Sequence, residues 1–141
     1  MTRFVRPLLY LWALPSTAFG VPLLLAALVS GGRARWVDGV LEVHGGLAAV
    51  YLRRIVGLFL KGGASAMTLG HIVVGRNQFT LDATRAHERI HVRQCEHWGP
   101  LFIPAYLSAS VYQMLRGRGA YWDNPFERQA YAATGEAGRH S

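Results

Sequence analysis

Charge is what this sequence has least of. Only 16% of its 141 residues are Asp, Glu, Lys or Arg, against about 25% in ordinary soluble chains, while 51% are hydrophobic. That deficit points to lipid covering part of the surface. Lysine is nearly missing too: Lys61 is the sole one, so the net charge of +7 rests almost wholly on arginine. A basic balance suits nucleic acid, anionic headgroups or plain solubility. With no basic run interleaved with aromatics, nucleic acid is not expected as a partner. Cys95 is the single cysteine, which excludes an internal disulfide and any thiolate-rich structural zinc site. There are no internal repeats and no low-complexity linker, and 141 residues suffice for one hydrophobic core but not two.

From Leu8 to Val29 there is no charged residue at all. At about 1.5 Å per residue that stretch is long enough to span a hydrocarbon core. The alternative, a secretory signal peptide, has an apolar stretch of only about 7–15 residues, although Pro15, Gly20 and Pro22 could divide this one. The expectation is an N-terminal transmembrane helix within residues 1–32, placing the protein in a membrane with lipids as partners. Arginines flank both ends, Arg3 and Arg6 before and Arg33 and Arg35 after, so the side of the membrane is not fixed.

Beyond Gly31-Gly32 the pattern turns strand-like. Arg35 to Val43 reads as a hairpin around Asp38-Gly39, and Thr68 to Val74 with Phe79 to Leu81 as a second one turning at Gly75-Arg76-Asn77. Leu47 to Leu60 could be a helix or a strand pair. A helix is expected from near Asp82 or Thr84, ending at Trp98 because Gly99-Pro100 follows. Leu101 to Leu115 is apolar and short for a span, so a core helix, a re-entrant segment or an interfacial helix all fit. Asn124-Pro125 marks the start of a closing helix to about Thr134, and 136–141 reads as a tail.

One constellation carries chemistry. His87-Glu88-Arg89-Ile90-His91 is an HExxH motif, in which the two histidines stand one turn apart on one helix face and can reach one metal ion. Glu88 lies about 100° round the helix, where it reaches a water beside the metal rather than the metal. Zinc brings such a water's pKa to about 7, and a neighbouring carboxylate can take its proton. The wheel places Gln94 with the two histidines and Arg85, Arg89 and Arg93 opposite them, a stripe expected to face solvent. Gln94 itself is either a partner of a metal ligand or merely helix surface.

The third ligand has two candidates. His97 completes an HExxHxxxxxH spacing, but the helix must break before it, and Gln94 stands where a glycine is needed. In an unbroken helix His97 points about 240° away from His91. Glu127, in the first turn of the closing helix, is the better candidate, since two His and one Glu leave zinc an open position. Against it, Asn124-x-x-Glu127 could be a capping box and nothing more. Tyr106, Tyr121 and Tyr131 could stabilise an oxyanion or simply pack, and His44 and His71 read as strand histidines.

The stretch His87 to Gln94, followed by Asn124-Pro125-Phe126-Glu127-Arg128-Gln129-Ala130, resembles the glutamate-type zincin metallopeptidases (gluzincins), including their very small members. Tyr131 stands where larger members often carry an acidic residue. The resemblance implies His87, His91 and Glu127 as zinc ligands and Glu88 as the catalytic base. It also implies a small sheet whose edge strand, placed at Thr68 to Val74, pairs with an extended peptide. The whole reading is an α+β, zincin-like domain over 33–135, with a small sheet, an active-site helix and a downstream ligand helix, behind the membrane helix. The expected function is zinc-dependent hydrolysis of peptide or protein substrates. Two rivals stand beside it: a non-catalytic membrane assembly or chaperone subunit with a structural or vestigial zinc site, and a zinc hydrolase acting on a non-peptide amide or ester.

Overall fold

A computed structural model describes residues 6–58 and 65–135. The tail 136–141 and the end of the Leu47 to Leu60 stretch lie outside them. Two helices, α1 (Arg6–Trp12) and α2 (Leu14–Val29), lead into the hairpin β1 (Arg33–Val37) and β2 (Val40–His44). Helix α3 (Gly46–Val50) continues through a π turn and a 3₁₀ turn to Leu58. Strands β3 (Ala66–Leu69) and β4 (Ile72–Gly75) precede the long helix α4 (Gln78–Trp98), and α5 (Phe102–Leu115) and α6 (Pro125–Ala133) complete the chain.

The four strands form one mixed sheet in the order β1-β2-β4-β3. β1 and β2 are antiparallel, β2 and β4 parallel, and β4 and β3 antiparallel. Strand side chains alternate between faces, and the sequence uses both faces. Val43, Ile72 and Val74 pack with Ala27 of α2 and with Ala48 and Leu52, whereas Val40 and Val73 pack with Leu81 and Val92 of α4. The sheet is thus a middle layer, with α2 and α3 on one side and α4 on the other.

The expected transmembrane helix is not formed, and the membrane placement that followed from it is corrected with it. Among the described residues no helix is long and apolar enough to cross a membrane. The charge-free stretch is divided at Ala13, which is fully buried, and α2 has 16 residues with Pro22 inside it. Such a helix is about 24 Å long, short of a core of about 30 Å. Its small residues serve close packing instead. Gly20 lies against Ile72, where an added Cβ would come within 3.0 Å of that side chain. Freedom from charge serves a helix laid on a sheet as well as one laid in lipid.

The first expected hairpin forms as read, with Asp38 and Gly39 both at positive φ in its turn. The second does not. β3 turns into β4 at Gly70-His71, and Phe79 to Leu81 belong to α4. Helix α4 starts earlier than expected because Asn77 and Thr80 form a reciprocal capping box: Asn77 Oδ1 accepts from the Thr80 amide at 2.8 Å, and Thr80 Oγ1 accepts from the Asn77 amide at 3.1 Å. Its end at Trp98 is as read, closed by Gly99 at φ +59.

The arginine stripe of α4 does not simply face solvent. Glu42, 2% exposed on β2, accepts a two-pronged contact from Arg85 at 2.8 and 2.9 Å and a further bond from Arg89 at 2.9 Å. Arg89 also donates to the Val37 carbonyl at 2.8 Å. These bonds fix the rotation and register of α4 on the sheet. Removing one partner of a buried ion pair is strongly destabilising because the other charge stays buried. Glu42→Gln is therefore expected to lower the unfolding free energy by about 3 kcal/mol, read from urea denaturation. A change below about 1 kcal/mol, the level of an exposed pair, would show that solvent already screens the three groups.

Candidate metal centre

Helix α4 runs unbroken through the HExxH segment, so His87 and His91 project from one face with their Nε2 atoms 3.2 Å apart. Glu127 comes to the same point from α6. Its Oε1 lies 2.9 Å from His87 Nε2 and 2.9 Å from His91 Nε2. All three residues are buried, and together they could hold a metal ion. The distances suit that use: with ligand bonds of 2.0–2.1 Å, the edge of a tetrahedron is about 3.3 Å, so three donors 2.9–3.2 Å apart need little movement to take a zinc-sized ion.

Two turns of chemistry put Glu127 there. Asn124 Oδ1 accepts from the Phe126 amide at 2.9 Å and so caps α6 alone. Glu127 instead gives its second oxygen, Oε2, to the Tyr106 hydroxyl at 2.5 Å. The carboxylate therefore faces α4 and α5 and is no capping-box partner. Asn124, fully buried, also donates to the Tyr106 carbonyl at 3.1 Å and to Ser110 Oγ at 2.8 Å, tying the start of α6 to α5.

The neighbours of the group are ordered to match. His91 Nδ1 donates to Gln94 Oε1 at 2.8 Å, which leaves Nε2 toward Glu127. Gln94 in turn donates to the Phe126 carbonyl at 3.0 Å and to Gln129 Oε1 at 2.6 Å. One amide thereby orients a histidine on α4 and grips α6. The Tyr131 ring packs on His87 at 4.3 Å, and the Tyr121 and Tyr131 hydroxyls bond each other at 2.9 Å. His97 is exposed in the last turn of α4 and takes no part in the group.

Glu88 is 5% exposed and turns toward the sheet, where Thr68 Oγ1 on β3 donates to its Oε2 at 2.7 Å. Burial raises its pKa above the usual carboxyl range, against the opposing pull of His91. Burial also pushes His91 down, but the Glu127 carboxylate outweighs it and holds the imidazolium to about 9. Glu127 is pushed up by burial and pulled down harder by hydrogen bonds from His87 and His91, settling at about 2.

Sequence reasoning named the residues that converge, but of two others that touch them it missed Thr68 and did not single out Tyr106. Thr68 was readable only as a strand residue, and its reach to Glu88 depends on the β3–β4 pairing that sets Thr68 opposite Val73. Tyr106 was one of three equivalent tyrosines until α5 and α6 were seen to meet at Asn124. His71, expected in a strand, lies in the β3–β4 turn, buried and paired with Glu96 Oε2 at 2.9 Å, while His44 closes β2.

The fold and site define a small α+β protein whose α4–α6 junction encloses a His–His–Glu group able to hold a metal ion. No family model matches the chain, nor does any curated protein or solved structure.

Two expectations follow. Gln94→Leu should lower the affinity of the group for a divalent metal ion by about 10–100-fold, the usual cost of losing a ligand's hydrogen-bond partner, whereas His97→Ala should leave it unchanged; competition with a chromogenic chelator reads both. An unaffected Gln94→Leu would show that His91 needs no orienting partner. The second concerns the metal-free chain. His91 rises from 6.5 to about 9 on folding, so its stabilising share is complete below pH 6.5 and is lost as pH rises through about 9. Glu127 falls from 4.5 to about 2, so its share is complete above pH 4.5 and is lost as pH falls through about 2. Between pH 4.5 and 6.5 both shares are complete. The buried Glu88, with its raised pKa, costs stability as pH rises above 4.5. Urea unfolding of the metal-free chain should therefore show greatest stability near the lower end of that window. A profile that is flat up to pH 9 would contradict the pairing.

Proposed function

We propose that this chain is a zinc-dependent metallopeptidase. The observation that carries the reading is the convergence of His87, His91 and Glu127 within 2.9–3.2 Å, on a helix that also carries Glu88 between its two histidines. Two imidazoles and one carboxylate are a ligand set of catalytic zinc, three protein donors with a fourth position open. Zinc bound there would supply Lewis-acid polarisation and an acidified water.

The chain's own residues do the rest. His91 is held by Gln94 with Nε2 presented, and Glu127 is presented from a capped, tethered helix. Glu88 takes a proton from the attacking water and returns it to the leaving amine, with the Thr68 hydroxyl holding one carboxylate oxygen. Support for a peptide over other amides comes from β3. It pairs only with β4 in the described sheet, and an extended chain can add to such an edge through backbone bonds. The expected edge strand Thr68 to Val74 is corrected: this edge is β3, Ala66–Leu69, whereas Ile72–Gly75 is the inner strand β4, and the other edge of the sheet is β1.

A second reading has an observation of its own. Glu88 is 5% exposed and already hydrogen-bonded, which also suits a non-catalytic protein whose metal is structural. Glu88→Gln separates the two. The substitution keeps size and removes the base. Zinc content should stay near wild type, and cleavage of a pooled peptide digest, followed by mass spectrometry, should fall by about 10²–10⁴-fold. Loss of zinc would make Glu88 a ligand or a residue the fold depends on, and either would overturn its role as the base. A wild-type chain that holds one zinc and cuts no peptide would favour the structural-metal reading.

A further inference from the structure

The two oxygens of Glu127 are treated differently. Oε1 sits between the two histidine Nε2 atoms, 2.9 Å from each, while Oε2 takes the Tyr106 hydroxyl at 2.5 Å. Of the three tyrosines around the group, Tyr121 and Tyr131 share one hydroxyl–hydroxyl hydrogen bond at 2.9 Å. The Tyr106 hydroxyl donates its hydrogen bond to the carboxylate. We infer that Tyr106 is a positioning residue: its hydroxyl holds Glu127 Oε2, so that the carboxylate offers the metal one oxygen and a coordination position stays open.

The placement of this hydroxyl is fixed by the same junction that places Glu127. The Tyr106 carbonyl accepts from Asn124 Nδ2 at 3.1 Å, and Asn124 is the cap of the helix that carries Glu127 three residues later. The Tyr106 ring stacks on Phe126 at 6.1 Å and lies near Phe102 at 5.9 Å and His91 at 6.3 Å. A shift of Tyr106 relative to Glu127 would therefore have to disturb the cap, the aromatic stack and the His91 edge together.

The consequence is one of coordination number. Catalytic zinc keeps three protein donors and leaves the fourth position to water or substrate. Carboxylates can bind through one oxygen or two, and a glutamate free to chelate would fill the position that substrate needs. A phenol on Oε2 opposes this by making that oxygen a hydrogen-bond acceptor. Glu127 thus acts as a single-oxygen ligand through the tyrosine beside it. The inference rests on the metal reading above and adds to it a reason for Tyr106.

The test uses Co²⁺ as a visible probe in the full-length chain, because the intensity of its d–d bands follows coordination geometry. Wild type and Tyr121→Phe should give the intense bands of a four-coordinate ion. Tyr106→Phe removes one oxygen and keeps the ring, and it should lose d–d intensity as Oε2 joins the metal. Unchanged bands in Tyr106→Phe, or equal loss in Tyr121→Phe, would overturn the assignment. Should Tyr106→Phe fail to fold, zinc X-ray absorption on wild type still decides. One Glu127 oxygen near 2.0 Å with the other outside bonding range supports the inference, and two at about 2.0–2.2 Å refute it. A wild-type chain that takes up neither Co²⁺ nor Zn²⁺ defeats the metal reading itself, a result distinct from binding with two oxygens.

Discussion

Everything on the α4–α6 side depends on one buried carboxylate. Glu127 is 4% exposed, and an ionised carboxylate without partners cannot be held at that depth. It is held because three donors reach it: His87, His91 and Tyr106. They come from two places in the sequence, the histidines from α4 and the tyrosine from α5, and each place needs its own support. His91 is oriented by Gln94, Tyr106 by the Asn124 link to α5, and the whole helix α4 by Glu42 on the sheet. Remove the carboxylate and α6 keeps the Gln94 bonds and the aromatic contacts of Phe126, but loses its only charged tie to α4 among the described residues.

Helix α4 serves three neighbours at once. One face supplies the histidines. A second lays Leu81 and Val92 on Val40 and Val73 of the sheet. A third sends Arg85 and Arg89 to Glu42. The second and third settle the rotation of the helix about its axis, and therefore where the first face points. A turn of roughly 100°, one residue's worth, would swing the histidines away from α6. The ion pairs on the sheet side thus act on the metal side without touching it.

How much of this was legible in the sequence follows from range. The HExxH face, the stop at Gly99-Pro100 and the cap at Asn124 are local patterns, and each stands where the residues place it. The early start of α4 was local as well. It was hidden because Phe79 and Leu81 alternate as a strand would, while the decisive signal was Asn77 followed three residues later by Thr80. Pairings across the chain were not legible. Glu42 with Arg85 and Arg89, Thr68 with Glu88, and Tyr106 with Glu127 are separated by 43, 47, 20 and 21 residues. No periodicity encodes such partners; only the sheet order and the α5–α6 junction do.

The N-terminal stretch shows why one composition admits two readings. A helix face shut off from water must be free of charge, and lipid and a sheet can both be the neighbour that shuts it off. What distinguishes them is the position of the small residues. In α2, Ser16, Gly20 and Ala27 are the buried positions, while Leu14, Phe19 and Leu25 stay exposed. A helix that turns its smallest side chains inward is one whose backbone must come close to what it covers. Here the reason is visible at two points: an added Cβ on Gly20 would press on Ile72, and one on Gly70, at φ +64, would meet Thr17. The close approach of α2 to the β3–β4 turn leaves the Thr17 hydroxyl in reach of the His71 amide at 3.0 Å. Backing of this kind holds β4 and β3 in place from behind, and β3 is the strand that brings Thr68 to Glu88. The stretch that reads as a membrane anchor is, in the fold, part of the support under the candidate base.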